Sequence, residues 1–244
     1  MSEKKTPIIY ISEMFGPTIQ GEGPDIGSKC IFLRVAGCDF RCNWCDSKYT
    51  WSVSRSKCKG YKEEDLLEYT LDLCKNTNTS HVILTGGNPC IYNFSSIIDG
   101  LHKSKIKVDI ETQGSILPNW LINCDLIVIS PKPPSSGQKD IFEIVKFFVL
   151  ENADITEKIV IKIPTFNRED IVFLKKYYDE FKNSKVRIYC SVGNNMLGGN
   201  NKNIVTESLN AYRNLIDEVF KTNMESIHIL PQMHVLLWGN KRGV

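Results

Sequence analysis

The chain has 244 residues, 42% of them apolar and 24% charged, which excludes a disordered or fibrous protein and allows one sizeable core. Thirty Lys and Arg against 28 Asp and Glu leave a formal charge of +2, so neither nucleic acid nor a membrane surface is an expected partner. No apolar run has the roughly 20 residues of a bilayer span, and the N-terminal MSEKKTPIIYISEMF has no signal-peptide core, so a cytoplasmic location is expected.

In chain order, ISEMF (11–15) and KCIFLRVAG (29–37) read as two strands separated by a Gly-rich turn, GPTIQGEGPDIG, whose glycines permit close backbone approach to a ligand. Apolar residues at three- and four-residue spacing predict helices over 63–76, 139–152, 168–183 and 206–223. Between them lie short β-branched runs at 81–86, 107–112, 125–130, 158–163, 186–190 and 226–230, the pattern of buried parallel strands. Alternation of this kind predicts an α/β fold with right-handed crossovers. Six strands fall short of the eight of a complete barrel, which makes a partial (β/α)6 TIM-type barrel the expected architecture. No repeat or linker divides residues 1–244, so a single domain is expected, and PKPPSSG (131–137) reads as a strand-to-helix loop.

Six of the nine cysteines, Cys30, Cys58, Cys74, Cys90, Cys124 and Cys190, are scattered singly and read as small hydrophobes. The other three stand in GCDFRCNWCDS as C-x3-C-x2-C, directly after an apolar strand. Cys38, Cys42 and Cys45 can wrap one metal centre, either zinc or an iron–sulfur cluster. Both offer four positions and no fourth Cys or His is close in sequence. Zinc needs the missing ligand, whereas a 4Fe-4S cluster with one open iron has a use for the vacancy.

With Trp44 before its last cysteine, this motif resembles the signature of the radical S-adenosylmethionine (SAM) superfamily. The segments FGPTIQGEGPDIG, FLRVAGCDFRCNWCDS, LTGGNP, ETQG, SPKPPSS and LPQMHVLLWGNKRGV extend the resemblance, from residue 15 to the C-terminus, to the 7-carboxy-7-deazaguanine synthase family. That resemblance implies conversion of 6-carboxy-5,6,7,8-tetrahydropterin to 7-carboxy-7-deazaguanine with release of ammonia, on the route to queuosine. It implies a 4Fe-4S cluster on Cys38, Cys42 and Cys45, with SAM as a regenerated source of a 5'-deoxyadenosyl radical. It further implies Mg2+ on the hydroxyl of Ser47, a flavodoxin or ferredoxin as electron donor, and a homodimer.

The family's SAM contacts fall on Trp44, Asp46, Gly87, Ser130, Pro131, Lys132 and Ser191, with Gly86 beside Gly87 and the SVGNN loop from Ser191 near the adenosine. Its substrate contacts fall on Ile19, Gln20, Gly21, Glu22, Arg34 and Thr85, with His234 and the terminal carboxylate of Val244 as candidates at the C-terminal tail, residues 231–244. The chemistry fits those types. Gln20 and Glu22 offer donors and acceptors to a 2-amino-4-oxo ring, and Arg34 can fork a carboxylate. His234 reads equally as a packed histidine. One departure is visible: radical SAM proteins commonly have GGE where this chain has Gly86-Gly87-Asn88, so Asn88 brings no charge.

Two rival readings remain at this point. An activase that installs a glycyl radical on a partner would share the cysteine loop but has no reason to carry QGEG, Arg34 and SPKPP together. A zinc-binding structural or RNA-interaction module would bring clustered basic charge that the +2 balance does not support.

Overall fold

The computed structural model describes residues 7–54, 57–194 and 203–244. It opens with an antiparallel pair, β1 (Ile9–Ile19) and β2 (Lys29–Val35), to whose outer edge the short β3 (Lys59–Tyr61) is added. From β2 onward every pairing is parallel, through β4 (His81–Gly86), β5 (Lys107–Thr112), β6 (Leu126–Ile129), β7 (Ile159–Thr165), β8 (Arg187–Val192) and β9 (His228–Leu230). The spatial order is β3-β1-β2-β4-β5-β6-β7-β8-β9, so the sheet keeps two free edges, β3 and β9.

Helices α1 (Glu63–Thr77), α2 (Ser95–Lys103), α3 (Phe142–Glu151), α4 (Arg168–Phe181) and α5 (Ile204–Phe220) alternate with the strands, and a short α6 (Met233–Trp238) follows β9. Helix α1 shows why the sequence folds so. Three acids, Glu63, Glu64 and Asp65, complement the dipole of its first turn, Leu66, Thr70 and Cys74 bury one face, and Asn78 closes it in a left-handed conformation at φ 49°. None of the described helices is long and apolar enough to cross a membrane.

The two faces of the sheet differ sharply. Strand residues alternate sides, and Val82, Leu84, Val108, Ile110, Ile127, Ile129, Ile159 and Ile161 point to the helices, where they form the main core. Each such side chain contributes about 1.5–3 kcal/mol by leaving water. Among the described residues the opposite face has two small apolar clusters, Cys30–Phe32–Ile83 and Leu126–Val128–Val160–Tyr189. Beyond them its positions are polar: Arg34, Thr85, Glu111, Ser130, Lys162 and Ser191. Five of these lie on five different strands and Ser130 follows directly on β6, yet all six line one cavity of about 590 Å3, which requires the sheet to curl around that face as in a partial barrel.

The strands expected at 81–86 and 107–112 are found at those residues, and the other four are displaced by one to two residues at their ends. The first differs more. β1 runs on through Gly16 and Pro17 to Ile19, because a register shift between Phe15 and Thr18 absorbs the proline's missing N–H while Gly16 lies flat on the backbone of Cys30 and Ile31. The turn therefore spans only residues 20–28. Helix α3 begins at Phe142, not at Lys139, because the Asp140 carboxylate accepts from the Phe142 N–H at 2.9 Å and stops the helix there.

Candidate functional site

The cluster loop leaves the end of β2 and is clamped from two sides. Its base is held by backbone bonds from Gly37 N to Thr50 O (2.7 Å), Asn88 N to Gly37 O (2.8 Å) and Gly87 N to Val35 O (3.1 Å). A Cβ on Gly87 would stand 1.9 Å from the Gly37 carbonyl oxygen, so only glycine permits this closure of β4 on the loop. The PKPPSS segment holds the far side. Asn43 N donates to Ser136 O at 3.0 Å, Trp44 Nε1 donates to Ser135 Oγ at 3.0 Å, and Arg41 N donates to Gln138 Oε1 at 3.2 Å. Buried Asp170 at the start of α4 in turn accepts from Ser135 N at 3.1 Å and Phe166 N at 2.9 Å. Trp44 packs on Phe166 with ring centroids 4.6 Å apart.

Cys38, Cys42 and Cys45 all face the cavity. Burial raises all three thiols, Cys42 to about 11; Cys38 is raised further by Cys45, Cys42 by both Cys38 and Cys45, and Cys45 by the Asp46 carboxylate. The ammonium of Lys132 acts oppositely on every one of them, and burial pushes its own pKa down. Tetrahedral zinc would draw thiolates to roughly 3.8 Å of each other. Among the described residues, however, the ligand triad whose atoms all lie within 4.8 Å is Asp25, His81 and Asp109, so the three sulfurs do not all come that close to one another. A looser set of three thiols with a cation beside it suits a cube in which each thiolate takes its own iron.

Deeper in the cavity is a network that the sequence reading reached only in part. Glu111 is its hub, accepting from Gln20 Nε2 at 3.1 Å, Thr85 Oγ1 at 2.9 Å and Lys162 Nζ at 3.4 Å. Lys162, 7% exposed, donates to Glu22 at 2.5 Å, and Gln232 Nε2 donates to the other oxygen of Glu22 at 2.7 Å. Burial alone would raise Glu22, but the charges of Lys162 and His234 outweigh it and bring its carboxyl down to about 2. Lys162 is correspondingly held above its ordinary value, its two carboxylate partners outweighing burial. A third acid, Glu13, pairs with Arg34 Nε at 3.2 Å, accepts from Tyr49 at 2.8 Å and pairs with Arg242 at 3.0 Å.

Of the site residues expected from sequence, the cavity wall includes Ile19, Gln20, Gly21, Glu22, Arg34, Trp44, Asp46, Ser47, Thr85, Gly87, Ser130, Lys132, Ser191, His234 and Val244. Pro131 is the exception: it is buried between Ser130 and Lys132 and does not line the cavity. Asn195, at the end of the SVGNN loop, lies outside the described residues. Asn88 is fully buried with its side chain engaged, donating to Asp39 at 2.9 Å and accepting from Cys90 N and Thr112 Oγ1. It is a brace of the cluster loop and does not reach the cavity. Gln113 of the ETQG segment joins it on Asp39 at 2.6 Å.

The tail docks over the turn. Met233 N donates to Gly21 O at 2.9 Å, a Cβ on Gly21 would meet His234 Nδ1 at 2.5 Å, and Arg242 stacks on Tyr49 at 3.3 Å from the ring centroid. Glu13, Glu111, Lys162, Gln232 and Arg242 were missed. Lys162 carried a signal, since a lysine in the strand KIVIKI must be paired if it is buried, and so did the acid of ETQG at a strand end. Nothing in the local sequence marks Gln232.

A family model described as a 4Fe-4S single cluster domain matches residues 19–117. The chain is 36% identical to the 7-carboxy-7-deazaguanine synthase of Bacillus subtilis, over 97% of this chain and 98% of that protein, and 37% identical to that of Bacillus cereus, over 97% and 99%. The crystal structure of QueE from Escherichia coli superposes with a TM-score of 0.67 at 26% identity, covering 93% of this chain and 95% of that one. With its cysteine loop braced as described and the likeness running through both chains from end to end, this protein belongs to the 7-carboxy-7-deazaguanine synthase family of radical SAM enzymes.

Proposed function

We infer that the chain converts 6-carboxy-5,6,7,8-tetrahydropterin to 7-carboxy-7-deazaguanine, the step of its family in queuosine biosynthesis, and that the cavity divides into three subsites. The observation that carries this reading is that the cysteine loop and the Glu22–Lys162–Glu111 network open on the same cavity. Cys38, Cys42 and Cys45 hold a 4Fe-4S cluster. Trp44, Asp46, Gly87, Ser130, Lys132 and Ser191 surround SAM, which together with the reduced cluster supplies a 5'-deoxyadenosyl radical for hydrogen abstraction.

The residues of the chain bind and orient. Glu22 and Glu111 present carboxylate oxygens to the amino and N–H groups of the pterin edge, and Lys162 pairs with both and keeps Glu22 ionised. Arg34, held by Glu13 through Nε and touching Ser47 through Nη1, turns its guanidinium edge on the substrate carboxylate. The Ser47 hydroxyl, 2.8 Å from the Asp46 carboxylate and 3.4 Å from Arg34 Nη1, is the hard oxygen that suits Mg2+ between protein and substrate. His234 and Val244 close the cavity from the tail and exclude water. The family supports two further parts of the reading, a flavodoxin or ferredoxin as electron donor and a homodimer as the working form.

The test is anaerobic turnover of the reconstituted protein with SAM, Mg2+, a strong reductant and the carboxytetrahydropterin, read by mass spectrometry. Formation of the deazaguanine, lost in Cys38→Ala and weakened when Mg2+ is withheld, is the expected result. Cleavage of SAM without a deazaguanine would refute the substrate, and the absence of an iron–sulfur chromophore would refute the cluster.

A further inference from the structure

Away from the cavity, at the N-terminal ends of the parallel strands, four ionisable side chains converge. His81 and Lys107 are the first residues of β4 and β5 and pair in register, and Asp109 lies two residues further along β5 on the same face. His81 Nε2 is 2.6 Å from Asp109 Oδ2, and Lys107 Nζ is 3.2 Å from that same oxygen. The fourth member comes from elsewhere in the chain: Asp25, in the turn that carries Gln20 and Glu22, bonds to Lys107 and lies 3.9 Å from His81 Nε2.

The spacing of Asp25, His81 and Asp109 would suit a cation, but the Lys107 ammonium already sits against both carboxylates. The cluster is thus an ion-pair network joining the turn to the strands. Its inner members are withdrawn from water, Asp109 at 3% and His81 at 9% side-chain exposure, and they anchor the outer pair, Asp25 at 25% and Lys107 at 39%, in a fixed place. The turn itself is tight, with Gln20 N donating to Ser28 O at 2.9 Å and Gly27 N to Gln20 O at 2.8 Å, so a force on Asp25 is transmitted to Gln20 and Glu22. At its other side the turn is tied to Glu111, Lys162 and the tail, which are pocket groups.

We propose that the Asp25–Lys107–His81–Asp109 network is a latch that positions the Gln20–Glu22 turn, and thereby sets affinity for the pterin without touching it. The inference rests on the substrate reading above, and its members are positioning residues. In steady-state kinetics, Asp25→Asn raises KM for the pterin roughly tenfold and leaves kcat and the KM for SAM within about twofold. Lys107→Met does the same, the double variant is no worse than either, and Asp25→Glu recovers most of the loss. An unchanged pterin KM overturns the latch, and so does a parallel loss in kcat and in both KM values, which is what general loosening produces. Hydrogen exchange reads the same device without turnover. The Gly27 and Gln20 amides exchange at least about tenfold faster in Asp25→Asn while the strands keep their protection. Unchanged exchange at those amides overturns the latch even if the pterin proves to be the wrong substrate.

Discussion

Replacing Lys162 by Met removes the one ammonium shared by Glu22 and Glu111 while roughly keeping the volume of the side chain. Two largely buried carboxylates are then left without their shared cation, Glu22 keeping the Gln232 amide and Glu111 that of Gln20. Breaking a buried pair by deleting one partner costs about 3–5 kcal/mol. The sign of the pH dependence is the sharper test. In the wild type the Glu22 carboxyl is lowered from 4.5 to about 2, so its contribution is complete above about 4.5 and is lost as pH falls toward 2; at about 1.4 kcal/mol per pH unit this amounts to about 3 kcal/mol. Without Lys162, burial dominates and the carboxyl rises above its ordinary value. The group then costs stability at neutral pH and ceases to do so once protonated. Urea unfolding of the anaerobic apoprotein at pH 7 and pH 5 reads both effects: the wild type keeps or slightly loses stability at the lower pH, and Lys162→Met gains it. A variant whose profile runs parallel to that of the wild type, or which loses less than about 1 kcal/mol at pH 7, would refute the pairing argument.

Gly21→Ala places a methyl group 2.5 Å from His234 Nδ1 and must push the tail outward, so the KM for the pterin rises by about tenfold while the thermal midpoint falls by no more than a few degrees, both measurable on one preparation. Asn88→Glu restores the GGE pattern on paper but sets a second carboxylate against Asp39 in a fully buried place, with an expected loss of about 3 kcal/mol or more in urea unfolding and poor cluster retention by absorbance. Arg34→Lys keeps the charge but not the fork, so pterin affinity falls at least about tenfold while SAM affinity, measured by equilibrium dialysis, holds.

Much of the fold could be read from periodicity because the strands are buried on both sides and the helices carry one apolar stripe. Runs such as HVILTG have no other stable use in a chain of this length. The elements missed were those with little pattern to show: three-residue β3, nine-residue α2 and six-residue α6, whose existence depends on what they pack against. The site divides in the same way. Cysteine spacing is local and declares itself, whereas Glu111, Lys162, Gln232 and Glu22 are separated by up to 210 positions and become partners only when the sheet curls. Asn88 illustrates the opposite case, a motif position next to cavity-lining Gly87 whose own side chain is spent on Asp39.

Among the described residues the sheet does not close, and its two edges, β3 and β9, have no ladder between them. What spans that seam is the chain end, held by a backbone bond to Gly21, the Arg242–Glu13 pair and a stacked tyrosine. These ties are one backbone bond and a few side-chain contacts, and none of them is a strand pairing. Residues 239–244 are therefore the part of the cavity wall that side-chain contacts, and not a sheet ladder, hold in place.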